Sequence, residues 1–217
     1  MASSSDISVP VRKSIRTWLF NPFHYVAGGM ALAVGLAFIL AAGLIGSLSN
    51  SHFDGVLDFH TGTAAPLWIF LSEGLVDWIV LACLLLVGGK IISGSRVRVL
   101  DVFGTQALAR FPTAVTAVFA LLPGYRRYGL HLAARYVKTL PDVQTHAADP
   151  VMFALTILVT ILMVIWMVVL MYRAYSVSCN VRGGKAVGVF IAALIVGEAI
   201  SKVLVVALAH VARVNFS

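Results

Sequence analysis

Five ionisable residues fall inside apolar stretches of this 217-residue chain: Glu73, Asp77, Arg110, Glu198 and Lys202. Glu73 and Asp77 are four positions apart, so on a helix they share one face. Two carboxylates on one face of a membrane span must pair, bind a proton or meet water. Their chemistry is then either a proton or cation relay, or a structural pairing with Arg110 or Lys202. Glu198 and Lys202 are also spaced i,i+4, in the favourable order, and read as a local bridge. Three acids stand against two bases, so one acid is left over and becomes the candidate for proton chemistry.

A second group lies in the stretch SHFDGVLDFHTG. His52, Asp54, Asp58 and His60 are the residue types of a metal site, but their spacing matches no zinc pattern, and the stretch reads first as a solvated loop. Gly88-Gly89-Lys90 and Gly183-Gly184-Lys185 share a tripeptide without forming a phosphate loop. The first glycine of that motif would fall on Leu84 or Cys179, and its Ser/Thr position holds Ile91 or Ala186. Both fit a helix end with a lysine at the headgroups, and both then lie on one side of the membrane. Serine-hydrolase and metallopeptidase signatures are missing, no cofactor is indicated, and the chain reads as a non-enzyme. Cys83 and Cys179 suggest neither a disulfide framework nor a zinc site.

The elements that must position these residues follow from composition. Hydrophobic residues make up 60% of the chain and charged residues 12%, with a mean hydropathy of +0.95. A soluble domain has about 25% charged residues, so the surplus apolar surface needs lipid. The expectation is a single all-α membrane domain over 1–217, a polytopic transmembrane helix bundle. Five spans are predicted near 26–48, 66–89, 101–122, 151–172 and 186–210, or four if 101–122 does not cross. The first apolar run is too long for a cleaved signal segment.

Within 1–21, Val11, Ile15, Trp18 and Leu19 share one helix face and Arg12, Lys13 and Arg16 another, which predicts an amino-terminal interfacial helix. Tyr125, Tyr128, Leu132, Tyr136 and Leu140 predict a second one. The formal charge of +7 comes from 16 Lys+Arg and 9 Asp+Glu. The bases flank apolar runs, which points to anionic lipid and away from nucleic acid. Small-residue pairs Ala31/Gly35, Ala42/Gly46, Gly188/Ala192 and Ala193/Gly197 point to helix–helix contact, within the chain or in a homo- or hetero-oligomer. Charge counting with five spans puts nine bases inside and five outside. With four spans it puts twelve inside and three outside, so counting alone favours four. Both arrangements place the amino terminus inside.

The segments LVGGKIISGSRVRVLDVFGTQALARFP and YRAYSVSCNVRGGKAVGVFIAALIVGEAISKVL resemble the second-to-third and fourth-to-fifth helix regions of bacterial Yip-family membrane proteins. The resemblance spans about 20–211 and rests on the placement of Lys90, Asp101, Gly104, Pro112, Lys185 and Glu198. It implies a five-helix bundle with a cytoplasmic amino terminus and an external carboxyl terminus, in a bacterial inner membrane. Eukaryotic members act in membrane trafficking around Rab GTPases and associate with one another. The amino-terminal tail here is only about 20 residues, which sets this chain apart from them. The functional expectation is a protein acting through helix–helix or lipid contacts. The alternative is a small transporter or channel subunit that uses the buried acids in an ion path.

Overall fold

The computed structural model describes residues 14–137 and 143–211. Most of their backbone is helical, with one two-stranded hairpin and short connecting loops. A short helix α1 (Ile15–Phe20) and a 3-10 turn (Pro22–His24) lead into α2 (Gly28–Ser49). Strands β1 (Ser51–His52) and β2 (His60–Thr61) pair antiparallel, and α3 (Leu67–Ile92) follows. Then come α4 (Val99–Ala109), α5 (Pro112–Ala120), α6 (Pro123–Tyr136), α7 (Asp149–Ser178) and α8 (Gly183–Val211). Of the predicted amino-terminal interfacial helix only α1 lies in the described part, with Ile15, Trp18 and Leu19 exposed. Val11, Arg12 and Lys13 lie outside the described residues, as do Lys138 and Leu140.

Among the described residues, four helices are long and apolar enough to cross a membrane: α2, α3, α7 and α8. The chain is an integral membrane protein. A fifth crossing depends on α4 and α5, which α6 leaves at a bend of 82°. Proline explains the break between them. Pro112 has no N–H to give the preceding turn, so Arg110 and Phe111 bond three residues back, to Ala107 and Leu108.

The broken helix runs the length of the bundle. At one end the Thr105 and Ser178 hydroxyls lie 2.6 Å apart, and Ser178 donates to the Asp101 carbonyl. At the other end Thr156, near the start of α7, donates to the Phe119 carbonyl. From Val99 to Ala120 the rise is roughly 30 Å, about the hydrocarbon thickness. Two glycines bring this element close to α2. A Cβ on Gly35 would lie 2.3 Å from the Ala107 carbonyl carbon, and one on Gly104 would lie 2.4 Å from the Gly28 oxygen. The Ala31/Gly35 pair thus packs within the chain.

The two ends of the bundle differ. One gathers the start of α2, the end of α3, the start of α4, the end of α7 and the start of α8. Here Ser93, after α3, donates to the Cys179 carbonyl at 2.6 Å. Both Gly-Gly-Lys tripeptides lie at this end. The first sits inside the last turn of α3 and not beyond it, with Gly89 buried against Cys179; the second opens α8. This is the basic end, with Lys90, Arg96, Arg98, Arg173, Arg182 and Lys185. The opposite end carries the β-hairpin, α6 and the start of α7, and is called the hairpin end below.

Candidate functional site

The segment between α2 and α3 does not lie in solvent as its polarity suggests. Asn50, in the left-handed region at φ 50°, ends α2 and turns the chain back into the bundle. Ser51, His52, Phe53, Gly55 and Val56 are all buried. Phe53 packs with Ala42 and Ala117, and Val56 joins the core with Leu81 and Leu85. Apolar side chains at 53 and 56 drive the segment inward. Its backbone N–H groups then need acceptors where water is scarce.

Two intramembrane carboxylates supply those acceptors. Glu73 takes the Phe53 N–H at 3.0 Å and the His52 Nδ1–H at 2.6 Å. Glu198 takes the Leu57 N–H at 2.9 Å and lies directly under Gly55, where a Cβ would fall 2.3 Å from its oxygen. Lys202 closes the far side. Its ammonium bonds Asp58 of the hairpin and lies 3.7 Å from Glu198. Glu73 therefore pairs with His52, not with Arg110 or Lys202.

His52 presents both ring nitrogens to acceptors, Nδ1 to Glu73 and Nε2 to the Thr63 carbonyl at 2.9 Å. A carboxylate and a carbonyl as the two acceptors favour the doubly protonated ring, the imidazolium. Burial pulls its pKa down, but the Glu73 bond and charge, the Thr63 carbonyl and Asp54 outweigh burial and hold it above the usual 6.5. The ring also stacks on Phe70 at 4.4 Å. Asp58 is held below the ordinary carboxylate range: burial opposes ionisation, but the Lys202 bond and charge and the nearby His60 exceed it.

The remaining two charges form a separate pair deeper in the bundle. Arg110, at the helix break, places Nη1 3.6 Å from Asp77 Oδ2, and both side chains are almost fully buried. Both Asp77 oxygens, Arg110 Nη2 and the Ser201 hydroxyl lack hydrogen-bond partners. Ser201 lies against Asp77 without hydrogen-bond geometry. Two cavities flank Arg110, of about 20 Å³ on the Met167 side and about 10 Å³ on the Phe70 side. The first has room for one water and the second is at the limit for one. A water bridging Asp77, Arg110 and Ser201 would satisfy the orphaned atoms.

The metal candidate contracts. One ligand atom each of Asp54, Asp58 and His60 lie within 4.8 Å of one another. His52 is not among them, because Glu73 and Thr63 hold both its nitrogens. The Lys202 ammonium on Asp58 already supplies a cation there. The chain matches no family model, no curated protein and no solved structure at a significant level.

The five intramembrane charges thus divide into hairpin anchors (Glu73, Glu198 and Lys202) and a core pair (Asp77 and Arg110). Both acids of the first group remain within electrostatic reach of Asp77. Two partners escaped the sequence reading. Ser201 is three positions beyond Glu198 and so on the same helix face as the acids, which was a usable signal. The bidentate clamp from Arg127 of α6 to Asp149 of α7, at 2.9 and 2.6 Å, had no local signal, because its partners lie 22 residues apart. That clamp ties α6 back to α7, and Tyr125 is buried facing Phe59 and Phe153.

Proposed function

We propose that this chain is a Yip-type, non-enzymatic protein of the bacterial inner membrane that works through contacts with lipid and with other membrane helices. The observation that carries this reading is the engagement of the intramembrane acids. Glu73 and Glu198 accept hydrogen bonds from the inserted hairpin, and Asp77 faces Arg110. A relay needs acids free to exchange protons with water along a path. Here the carboxylates hold backbone or a guanidinium, and the cavities beside Arg110 each admit about one water. The outer faces of the spans supply the contact surface. Between α3 and α8 an apolar groove of about 280 Å³ runs past Gly88, Ala192 and Ala193. Gly188 and Ala192 face outward beside it, as a helix-association face requires.

Orientation follows from charge. The basic end belongs in the cytoplasm under the positive-inside rule, which puts the amino terminus inside and the hairpin outside. Five crossings place α6 outside as well.

The test is a proteoliposome assay with a pH-sensitive dye inside and an imposed proton gradient. Vesicles holding the chain are expected to leak no faster than empty ones. Proton flux that Asp77→Asn abolishes would overturn the reading in favour of a transporter or channel subunit.

A further inference from the structure

A polar cavity lies at the basic end, away from Glu73, Asp77, Arg110, Glu198 and Lys202. It measures about 530 Å³, within the 300–1,000 Å³ of ordinary ligand pockets. Its walls are the 3-10 turn after α1 and the end of α7 with the residues that follow. Asn21, His24, Arg173, Ser176, Asn180 and Arg182 line it. Apart from the Ser176 hydroxyl, which donates to the Val181 carbonyl, the polar side chains point no bond at each other.

The walls are fixed from behind. Phe23 is buried in the main core, Trp18 stacks on Tyr25 at 5.2 Å, and Trp166 of α7 donates to the Leu19 carbonyl at 2.9 Å. On the other side, α7 ends in a paired-bond cap. Val181 N–H reaches the Ser176 carbonyl and Asn180 N–H the Val177 carbonyl, with Asn180 itself at φ 51°. Asparagine holds this left-handed position while keeping a polar side chain on the cavity wall, which glycine would not provide.

Three features make the cavity attractive to an anion. Arg173 and Arg182 both line it, and among the described residues neither forms an ion pair. Asp101, the acid at this end, is taken by Arg98 at 3.7 Å. The positive end of α8 begins at Gly183, beside Arg182, with no acidic residue in its first turn and Lys185 instead. Its macrodipole is uncompensated.

We infer that this cavity binds a phosphate group carried on a polar head, as in an anionic phospholipid, with Arg173 and Arg182 on the phosphate. The inference rests on the lipid-contact reading above and narrows it to one site. Guanidinium groups suit phosphate oxygens through paired N–H donors. The site lies at headgroup depth, where an interfacial helix and span ends meet.

The experiment is native mass spectrometry of the full chain in detergent, titrated with phosphatidylglycerol, phosphatidylcholine, or water-soluble glycerol phosphate. Phosphatidylglycerol is expected to bind, and the Arg173→Gln/Arg182→Gln pair to weaken it at least tenfold. Lys90→Gln/Arg96→Gln removes the same charge from the same end but outside the cavity, and is expected to leave binding within twofold. Soluble glycerol phosphate bound through the same two arginines, with no lipid retained, would also support the site and name a soluble source. Equal weakening by both pairs would reduce the effect to surface potential and overturn the site, as would equal binding of phosphatidylcholine or no binding at all. Melting of each variant is read alongside; all four arginine and lysine side chains are exposed, so the fold is expected to persist. Failure here would leave the proteoliposome result, and the non-transport reading it tests, untouched.

Discussion

The hairpin end and the basic end use charge in opposite ways. At the hairpin end carboxylates reach inward to hold a folded-back loop, and Glu73, Glu198 and Asp58 each have a backbone donor or a partner of opposite sign. At the basic end bases outnumber the one acid, Asp101, which pairs with Arg98, and Arg173 and Arg182 line an open cavity and form no ion pair among the described residues. Buried charge in a membrane is costly unless paired, so the first arrangement is structural by necessity. Exposed like charge at headgroup depth costs little and stays available to anionic partners. Variants at the hairpin end should therefore change stability, and variants at the basic end should change binding alone.

The strongest break of this contrast lies at the core pair. Arg110→Leu leaves Asp77 buried without its cation, and removing one partner of a buried pair costs about 3–5 kcal/mol. Unfolding in a graded series of denaturing detergent, followed by circular dichroism, should show that loss. Adding Asp77→Asn to the same chain should recover part of it, because the uncompensated charge is then gone. Stability unchanged in the single variant would mean that water, not Arg110, satisfies Asp77.

Glu73→Gln tests the hairpin anchor directly. It removes the charge opposite the His52 imidazolium, and hydrogen bonds to charged groups contribute about 1.5–3 kcal/mol. The same latch predicts a pH dependence. The His52 pKa is raised in the folded chain, so its contribution is fully present below the unfolded value near 6.5 and is lost as pH rises through the folded value. Wild-type stability should fall across that window above 6.5, and His52→Gln should flatten the profile. A profile equally steep in His52→Gln would place the titrating group elsewhere.

The difference between the ends was only partly legible in the sequence. The long apolar runs located α2, α3, α7 and α8, because length and hydropathy together leave few alternatives. The third segment, expected over 101–122, runs over 99–120 and is broken at Arg110–Phe111, for a reason Pro112 already carried. Charge counting favoured four spans because it treats every base near a span as a vote. The Arg127–Asp149 clamp, which ties α6 to the start of α7, carries no such vote, and the described helices allow four crossings or five. The loop stretch read as solvated because His52, Asp54, Asp58 and His60 dominate its polarity. Phe53 and Val56 were the opposing signal, and burial followed them. Which carboxylate met which donor was not readable, since the partners are 20 and 141 residues apart in sequence.

Lys202→Met sharpens the contrast with a smaller effect. The Lys202–Asp58 pair is partly exposed, with side chains 44% and 34% accessible, and pairs of that kind contribute roughly 0–1 kcal/mol. The methionine keeps most of the aliphatic stem, so the expected loss is below about 1 kcal/mol and should shrink in high salt. Glu198 still accepts the Leu57 N–H, so the hairpin should stay seated. Protease cleavage within 54–60 is therefore expected to rise little in Lys202→Met, and clearly more in Glu198→Ala.

The smallest stability effect is expected where binding should change most. Arg173 and Arg182 are exposed and unpaired among the described residues, and surface changes of that kind usually stay within about 0.5 kcal/mol. Removing two like charges near Lys185 also relieves repulsion at the positive end of α8, so Arg173→Gln/Arg182→Gln should unfold at or slightly above the wild-type denaturant midpoint. Adding phosphatidylglycerol should then raise the midpoint of the wild type and leave that of the double variant in place, because a ligand stabilises only the state that binds it. A double variant that is destabilised without lipid would show that the two arginines hold the end of α7 together, and the basic end would join the hairpin end as structure.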